Sequence, residues 1–341
     1  MLSPTAASAL DLSGKKIQLI VPYREGGGSD VYSRMFAPYL GKHLPGKPSI
    51  LVRNMPGGAS IKGNNWFERN GKPDGTALVT ISSSTQVSYL LGGKKVKFDM
   101  LQWRPLLASP MGTVFYIHAN TGFSVKDPAG SIRKLGNKEL RYGAKTVIAS
   151  ELVAFLTYDM LGLNVKPVFG LSRGQTRQAM LRNEAELNTD SAWTYIKKVK
   201  KLVKKGTVVP MMTAGFPKKG KVLRDAILPD MPTAVEIAAK LHGKQPAGPM
   251  YEAWLNFVNT RTTGFALPKG TPDSVYKAYT AAFKATLADP KFNKAAKGII
   301  GGYEQAIGDD AKEVFDSAVG MKPEVKKWLV DWIREKFNVN I

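Results

Sequence analysis

Residues 17–40, IQLIVPYREGGGSDVYSRMFAPYL, leave the chain little conformational choice. An apolar, β-branched run ends at Pro22-Tyr23, three glycines follow, and a helical pattern opens at Ser29-Asp30. Val31, Met35 and Tyr39 recur at i, i+4 and i+8, and Tyr32, Phe36 and Leu40 repeat that spacing one position on, so the segment carries an apolar helical stripe. Ser29 or Asp30 suits its N-cap. A strand, a glycine turn and a helix without slack between them form a βα unit, which packs on a mostly parallel sheet.

The alternation continues. PSILVRN reads as a second strand, followed by the glycine turn MPGGAS and a helix; ALVTISSST is a third strand ending in hydroxyls. A second βα series follows, from LLASPMGTVFYIHAN through ELRYGAKTVIASELVAFLTYDMLG, VKPVFG, QTRQAMLRNE, AELNTDSAW and SAWTYIKKVKKLVKKG to TVVPMMTAG. A helix pair broken at Asp289-Pro290 comes next, and then a last helix with Val325, Trp328, Leu329 and Trp332 on one core-facing stripe. In sheets of this kind ligands bind at the carboxyl ends of strands. The first three strand ends carry Gly, Ser or Asn, which offer backbone amides and hydroxyls.

The chain has 341 residues, enough for two domains, and no cysteine, which excludes disulfides and thiolate metal sites. His43, His118 and His242 lie far apart, without metal-ligand spacing, so neither a metal nor a cofactor is expected. Lys plus Arg exceed Asp plus Glu by 49 to 27, a net charge of +22 that favours anionic partners. The run KKVKKLVKK (197–205) has no interleaved aromatic residues, so it reads as a solvated helix face with Ile196, Val199 and Val203 turned inward, and nucleic acid is not an expected partner. No stretch approaches the length of a membrane-spanning helix. MLSPTAASALDLSGKK has no secretory h-region; it suits either a processed terminus or a cytoplasmic start.

A glycine turn opening a helix attracts anions, because free amides and the helix dipole point into it. A nucleotide phosphate fits poorly. There is no Gly-Lys-Ser/Thr, and the second strand ends in Arg53-Asn54 where a dinucleotide fold needs an acidic residue. A small carboxylate needs only what Gly27, Gly28, Ser29, Ser82, Ser83 and Ser84 supply. A rival motif is GLSRG (170–174), which matches G-x-S-x-G between a strand and a helix; Asp190 and His242 follow in the order of a Ser-Asp-His hydrolase.

In IVPYREGGGSDVYSRMFAPYL, VRNMPGGAS, KPDGTALVTISSST, LRYGAKTVIASELVAFLTYDMLG, ILPDMPTAVEIA and FALPKGTPDSVYKAYTAAFKATLADPKF, in that order over residues 16–320, the chain resembles the extracytoplasmic solute-binding proteins of tripartite tricarboxylate transporters, the Bug or TctC-like family. The resemblance implies an α/β, two-domain, periplasmic-binding-protein-like fold of the Venus-flytrap, type II-like kind, each domain a central sheet flanked by helices. It places domain 1 at 14–116 plus 264–341 and domain 2 at 117–263, with the ligand cleft between them. It further implies a monomeric, non-enzymatic, exported protein without its leader, which passes a small carboxylate to membrane permease subunits. A sensory role feeding a signalling partner stays open.

Carried over by position, the ligand contacts are Tyr23, Gly27, Gly28, Ser29 and Asp30, then Ser82, Ser83 and Ser84, then Ala144, Lys145, Thr146 and Ser150, with the acidic Asp190. The chain departs from the family at Arg24-Glu25, where Pro-Ala is usual, and at AKTVIAS, which is bulkier than the usual Gly- and Ser-rich loop. Arg24 and Lys145 are therefore candidates for pairing a distal anionic group.

Overall fold

In the computed structural model, residues 10–218 and 221–341 are described; most of MLSPTAASALDLSGKK, and with it the reading of the N-terminus, lies outside them. The chain divides into two compact units. The first runs to Ser109 and resumes over Thr262–Asp316; the second comprises Pro110–Arg261 and Ser317–Ile341.

The first unit is built on a six-stranded mixed sheet. Its strands are β1 (Lys16–Val21), β2 (Ser49–Asn54), β3 (Ala77–Ile81), β4 (Arg104–Pro110), then, after the second unit's strands, β12 (Thr262–Leu267) and β13 (Ala306–Ile307). The order is β13-β4-β12-β3-β1-β2. β1 pairs in parallel with β2 and β3, as the βα alternation requires, whereas β12 runs antiparallel to β3 and β13 to β4. β3 is buried along its whole length, the condition of a central strand covered on both faces.

Of the two apolar rows on the helix Gly28–His43, the structure buries Tyr32, Phe36 and Leu40, while Val31 is exposed. Tyr32 stacks on Phe265 at 5.1 Å, and Phe36 packs on Phe292 at 4.7 Å between ring centroids. The glycine turn is thereby anchored from behind by an aromatic core. The Asp289-Pro290 break is an N-cap, since the Asp289 carboxylate accepts from the amides of Lys291 and Phe292.

The second unit holds a five-stranded mixed sheet of β5 (Thr113–His118), β6 (Leu140–Ala144), β7 (Val165–Phe169), β8 (Leu187–Ser191) and β9 (Val208–Thr213), in the order β7-β6-β8-β5-β9. β6 is parallel to β7 and β8, and β5 is antiparallel to β8 and β9. A two-stranded hairpin, β10 (Phe216–Lys218) and β11 (Lys221–Leu223), has no counterpart in the sequence reading.

The lysine run departs from a plain helix. Tyr195–Val199 forms a π-helical turn and Lys200–Lys204 one α-helical turn, with Tyr195 and Val199 buried and the lysines exposed. The last helix, Pro323–Phe337, buries Val325, Leu329 and Ile333, and the Trp332 indole donates to Asp159 at 2.8 Å. That contact holds the helix to the second unit, whereas the resemblance placed it with the first domain. The unit boundaries, at 109/110, 261/262 and 316/317, differ accordingly from the expected 116/117 and 263/264.

Candidate functional site

In the first unit, β1 ends at Val21 and the helix begins at Gly28. Gly26 turns the chain at φ 71°, a left-handed conformation that a side chain disfavours. The helix cap is Gly27, and no side chain caps it. The first intrahelical bond is Val31 N to Gly27 O at 2.9 Å, so the amides of Gly28, Ser29 and Asp30 have no partner within the helix.

Asp30 is 2% exposed and faces its own loop. Its carboxylate accepts from the Gly26 amide (2.9 Å), Arg34 Nε (2.9 Å) and Asn54 Nδ2 (2.9 Å). Burial pushes its pKa up, but the bonds from Asn54, Gly26 and Arg34 outweigh that and hold the carboxyl below the usual value. Asn54 also donates to the Tyr23 carbonyl at 3.0 Å and accepts from Arg34 at 2.9 Å. Asp30, Arg34 and Asn54 thus brace the glycine turn, and the Asp30 carboxylate is occupied within the protein.

Tyr23 joins this turn to the third strand end. Its phenol lies 2.7 Å from Thr85 Oγ1 and accepts from Ser82 Oγ at 2.5 Å. Burial raises its pKa, against the opposing bonds with Ser82, Thr85 and Ser60, so the phenol stays neutral. Ser82 caps the helix Ser83–Leu91 in a capping box with Thr85. Ser82, Ser83 and Ser84 are each under a tenth exposed. Arg24 is exposed. In the neighbouring turn, Ala59 and Ser60 adopt positive φ of 52° and 89°, strain held by Ser88 Oγ on the Ala59 carbonyl and by Asn64 on Ser60 Oγ. An open groove of 720 Å³ between the helix Gly28–His43 and β2 shares only Arg34 with this network. Convergent polar groups, not that groove, mark the candidate site.

In the second unit, β6 delivers Ala144 to a loop whose carbonyls at Ala144 and Lys145 are taken by the amides of Leu171 and Gly170. Lys145 is exposed. Loss of hydration around it, opposed by Glu151 and reinforced by Arg173 and Arg261, holds its pKa below the usual lysine value. Thr146 is half-buried. Ser150 is buried, donating to Glu151 Oε1 at 3.3 Å and accepting from Arg173 at 3.1 Å.

Asp190, 3% exposed, is closed off by Arg177 at 2.6 and 2.5 Å and by the Tyr116 hydroxyl at 2.9 Å. The expectation of an acidic group free for ligand meets here a carboxylate already paired within the unit. Arg261, 3% exposed and absent from the sequence reading, donates Nε to Thr113 at 2.7 Å.

The hydrolase motif resolves differently. Ser172 is the N-cap of the helix Arg173–Leu181. Its hydroxyl donates to Gln175 Oε1 at 2.8 Å and accepts from the Gln175 amide at 3.4 Å, a capping box. His242 Nε2 lies 2.9 Å from the Met160 carbonyl, and Asp190 is held by Arg177, so each would-be triad member has a different partner. Ser172→Ala is expected to lower stability by about 1 kcal/mol, the worth of an N-cap, and to leave carboxylate binding unchanged. Thermal denaturation and calorimetric titration check both parts. Among the described residues no cluster of three or more His, Cys, Asp or Glu stands ready for a metal ion, and no helix is long and apolar enough to cross a membrane.

Two mixed sheets, each flanked by helices and each ending its strands in polar loops, define the fold of a periplasmic solute-binding protein. Within that class the chain has the fold of the Bug- and TctC-type proteins. The periplasmic binding protein BugD superposes at a TM-score of 0.65 with 19% identity, over 92% of this chain and 96% of its own. MatC from Rhodopseudomonas palustris, with bound malate, gives 0.66 and 17% over 91% and 98%. A TctC solute-binding protein from Polaromonas gives 0.64 and 22% over 92% and 97%. Another R. palustris protein, with adipate, gives 0.67 and 18% over 93% and 98%. The chain matches no protein-family model and no curated protein sequence.

Proposed function

We propose that this chain is an extracytoplasmic receptor that captures a small carboxylate and presents it to the permease of a tripartite tricarboxylate-type transporter. The observation that carries the reading is the uncapped helix start at Gly28, whose amides lie beyond a turn braced by Asp30, Arg34 and Asn54. Such a start is complementary to an oxyanion. Malate and adipate in proteins of the same fold support the choice of a carboxylate, and the periplasmic site of BugD supports export. The candidate contacts are Tyr23, Arg24, Gly27, Gly28, Ser29 and Ser82–Ser84 in the first unit, and Ala144, Lys145, Thr146 and Ser150 in the second. Asp30 and Asp190 serve as braces for the loops that make contact. The protein acts as a monomer and performs no chemistry on its ligand.

A thermal-shift and calorimetric panel of mono-, di- and tricarboxylates, including malate and adipate, tests this. At least one acid is expected to bind 1:1 and, at a hundred times its Kd, to stabilise the protein by about 2.7 kcal/mol. A panel in which no acid gives saturable heat or a raised melting temperature refutes the proposal.

A further inference from the structure

Among the described residues Arg261 makes no ion pair with a carboxylate. It sits just after the helix Pro249–Asn259, its backbone fixed by bonds from its amide to the Val258 carbonyl (3.0 Å) and from the Met111 amide to its own carbonyl (2.8 Å). Its side chain is directed to Thr113, a neutral partner, and one terminal guanidinium nitrogen is sealed from water with no acceptor among the described residues. Burial, with Arg173 adding repulsion and Glu151, Tyr142 and Asp190 opposing it, pushes the Arg261 pKa down to about 9.

Two carboxylates lie in this neighbourhood, and both are committed. Asp190 is closed on Arg177. Glu151 is 1% exposed, accepts from Ser150, and has Arg173 Nε at 3.7 Å, so it offsets the Arg173 charge. Lys145 adds a further cation coupled to Arg173 and Arg261. The balance of this cluster is positive by Arg261 and Lys145. Arg173 Nε and Glu151 Oε2 are also buried and have no hydrogen-bond partner among the described residues, a rarity for buried polar atoms. A buried guanidinium is strongly unfavourable without an anion, and it does not discharge readily because its intrinsic basicity is so high. Exposure falls across the cluster: Lys145 is exposed, the Arg173 side chain is 21% exposed, and Arg261 is sealed.

We infer that Arg261 and Arg173, with Lys145 beside them, form an anion subsite of the second unit that receives a carboxylate group. The existence of the subsite rests on the charge imbalance; its assignment to a carboxylate rests on the proposed function above. A planar carboxylate matches the guanidinium fork better than a hydrated halide does.

The test titrates wild type and Arg261→Met with sulfate and with succinate at constant ionic strength, following melting temperature and heat. Wild type is expected to respond saturably to both probes. Arg261→Met is expected to bind each at least about ten-fold more weakly, a loss of about 1.4 kcal/mol. Its ligand-free melting temperature should be unchanged or higher, because an uncompensated charge has left a buried place. Saturable binding retained at wild-type affinity in Arg261→Met overturns the inference, as does the lack of response to both probes in wild type. A large fall in ligand-free stability also overturns it, by showing that the cluster is structural and bridged by water. If a panel acid binds wild type and Arg261→Met alike, the subsite is refuted and the receptor reading stands. If sulfate binds through Arg261 while no panel acid binds, the receptor reading is refuted and the subsite stands.

Discussion

Replacing Gly264 with alanine is expected to destabilise the first unit by about 3 kcal/mol, a large effect for one added methyl. Gly264 lies in β12, between β3 and β4. A Cβ built there comes 1.8 Å from the Leu107 carbonyl oxygen and 2.9 Å from its carbonyl carbon, with Phe315 at 3.0 Å. The obstacle is the backbone of a neighbouring strand, not the end of a flexible side chain, so relief requires β4 and β12 to separate. Both strands are central to the sheet that supports the glycine turn. By calorimetry the transition of the first unit should fall by roughly 6–12 °C, and amide exchange should rise along β3, β4 and β12. Gly28→Ala is the matched control. A Cβ at Gly28 meets nothing within 4 Å and its φ is not positive, so its stability should change by no more than about 0.5 kcal/mol. Equal stability of Gly264→Ala and Gly28→Ala would show that the close approach of β4 and β12 is not what requires glycine.

What could be read from the chain beforehand was local. The turn and the helix after it follow from residue types within one window, but the structure starts the helix at Gly28 on a Gly27 cap, so neither Ser29 nor Asp30 is the N-cap; Asp30 is the third helical residue and turns back to the Gly26 amide. The pattern offered two adjacent apolar rows on that helix, and only packing against Phe265 and Phe292 decides that Tyr32, Phe36 and Leu40 face inward. β5 and β12 carry no mark of direction in their residues, so the expectation of a mostly parallel sheet missed their antiparallel pairing. GLSRG is ambiguous in the same way. A nucleophile elbow and a capping box share the local pattern, and only the spatial partners of Ser172 and His242 separate them.

In the sequence Asn54 stands out only as a strand end that is not acidic; its role as a brace depends on a side chain 24 positions away and on the register of β1 with β2. Arg261 had no signal at all. A single arginine between a helix and a strand is unremarkable until tertiary packing removes its water. The composition offers 49 basic side chains and no means of telling the buried, unpaired Arg261 from the others.

Asp30→Asn is expected to abolish carboxylate binding in the panel and to lower stability by roughly 2 kcal/mol, the cost of leaving a buried donor without an acceptor; the Arg34 side chain is half-exposed, so the ion pair itself adds little. Asparagine keeps the size of the side chain but turns one acceptor into a donor. The three groups around it, the Gly26 amide, Arg34 and Asn54, are all donors, so one of them must face a like group. The turn then loses the bond that holds Gly26 at positive φ, and the amides of Gly28 and Ser29 lose their fixed direction. The effect has a pH signature. The Asp30 carboxyl is depressed in the folded protein, so its stabilisation is fully present above the ordinary aspartate value of about 4 and is lost as the pH falls through the lower folded value. The melting-temperature gap between wild type and Asp30→Asn should therefore be constant from pH 8 to about 5 and shrink below about 4. A gap that stays constant down to pH 2 would show that the ionised carboxylate is not what holds the loop. An Asp30→Asn protein that binds its acid with wild-type affinity would show that the loop reaches its binding geometry without it.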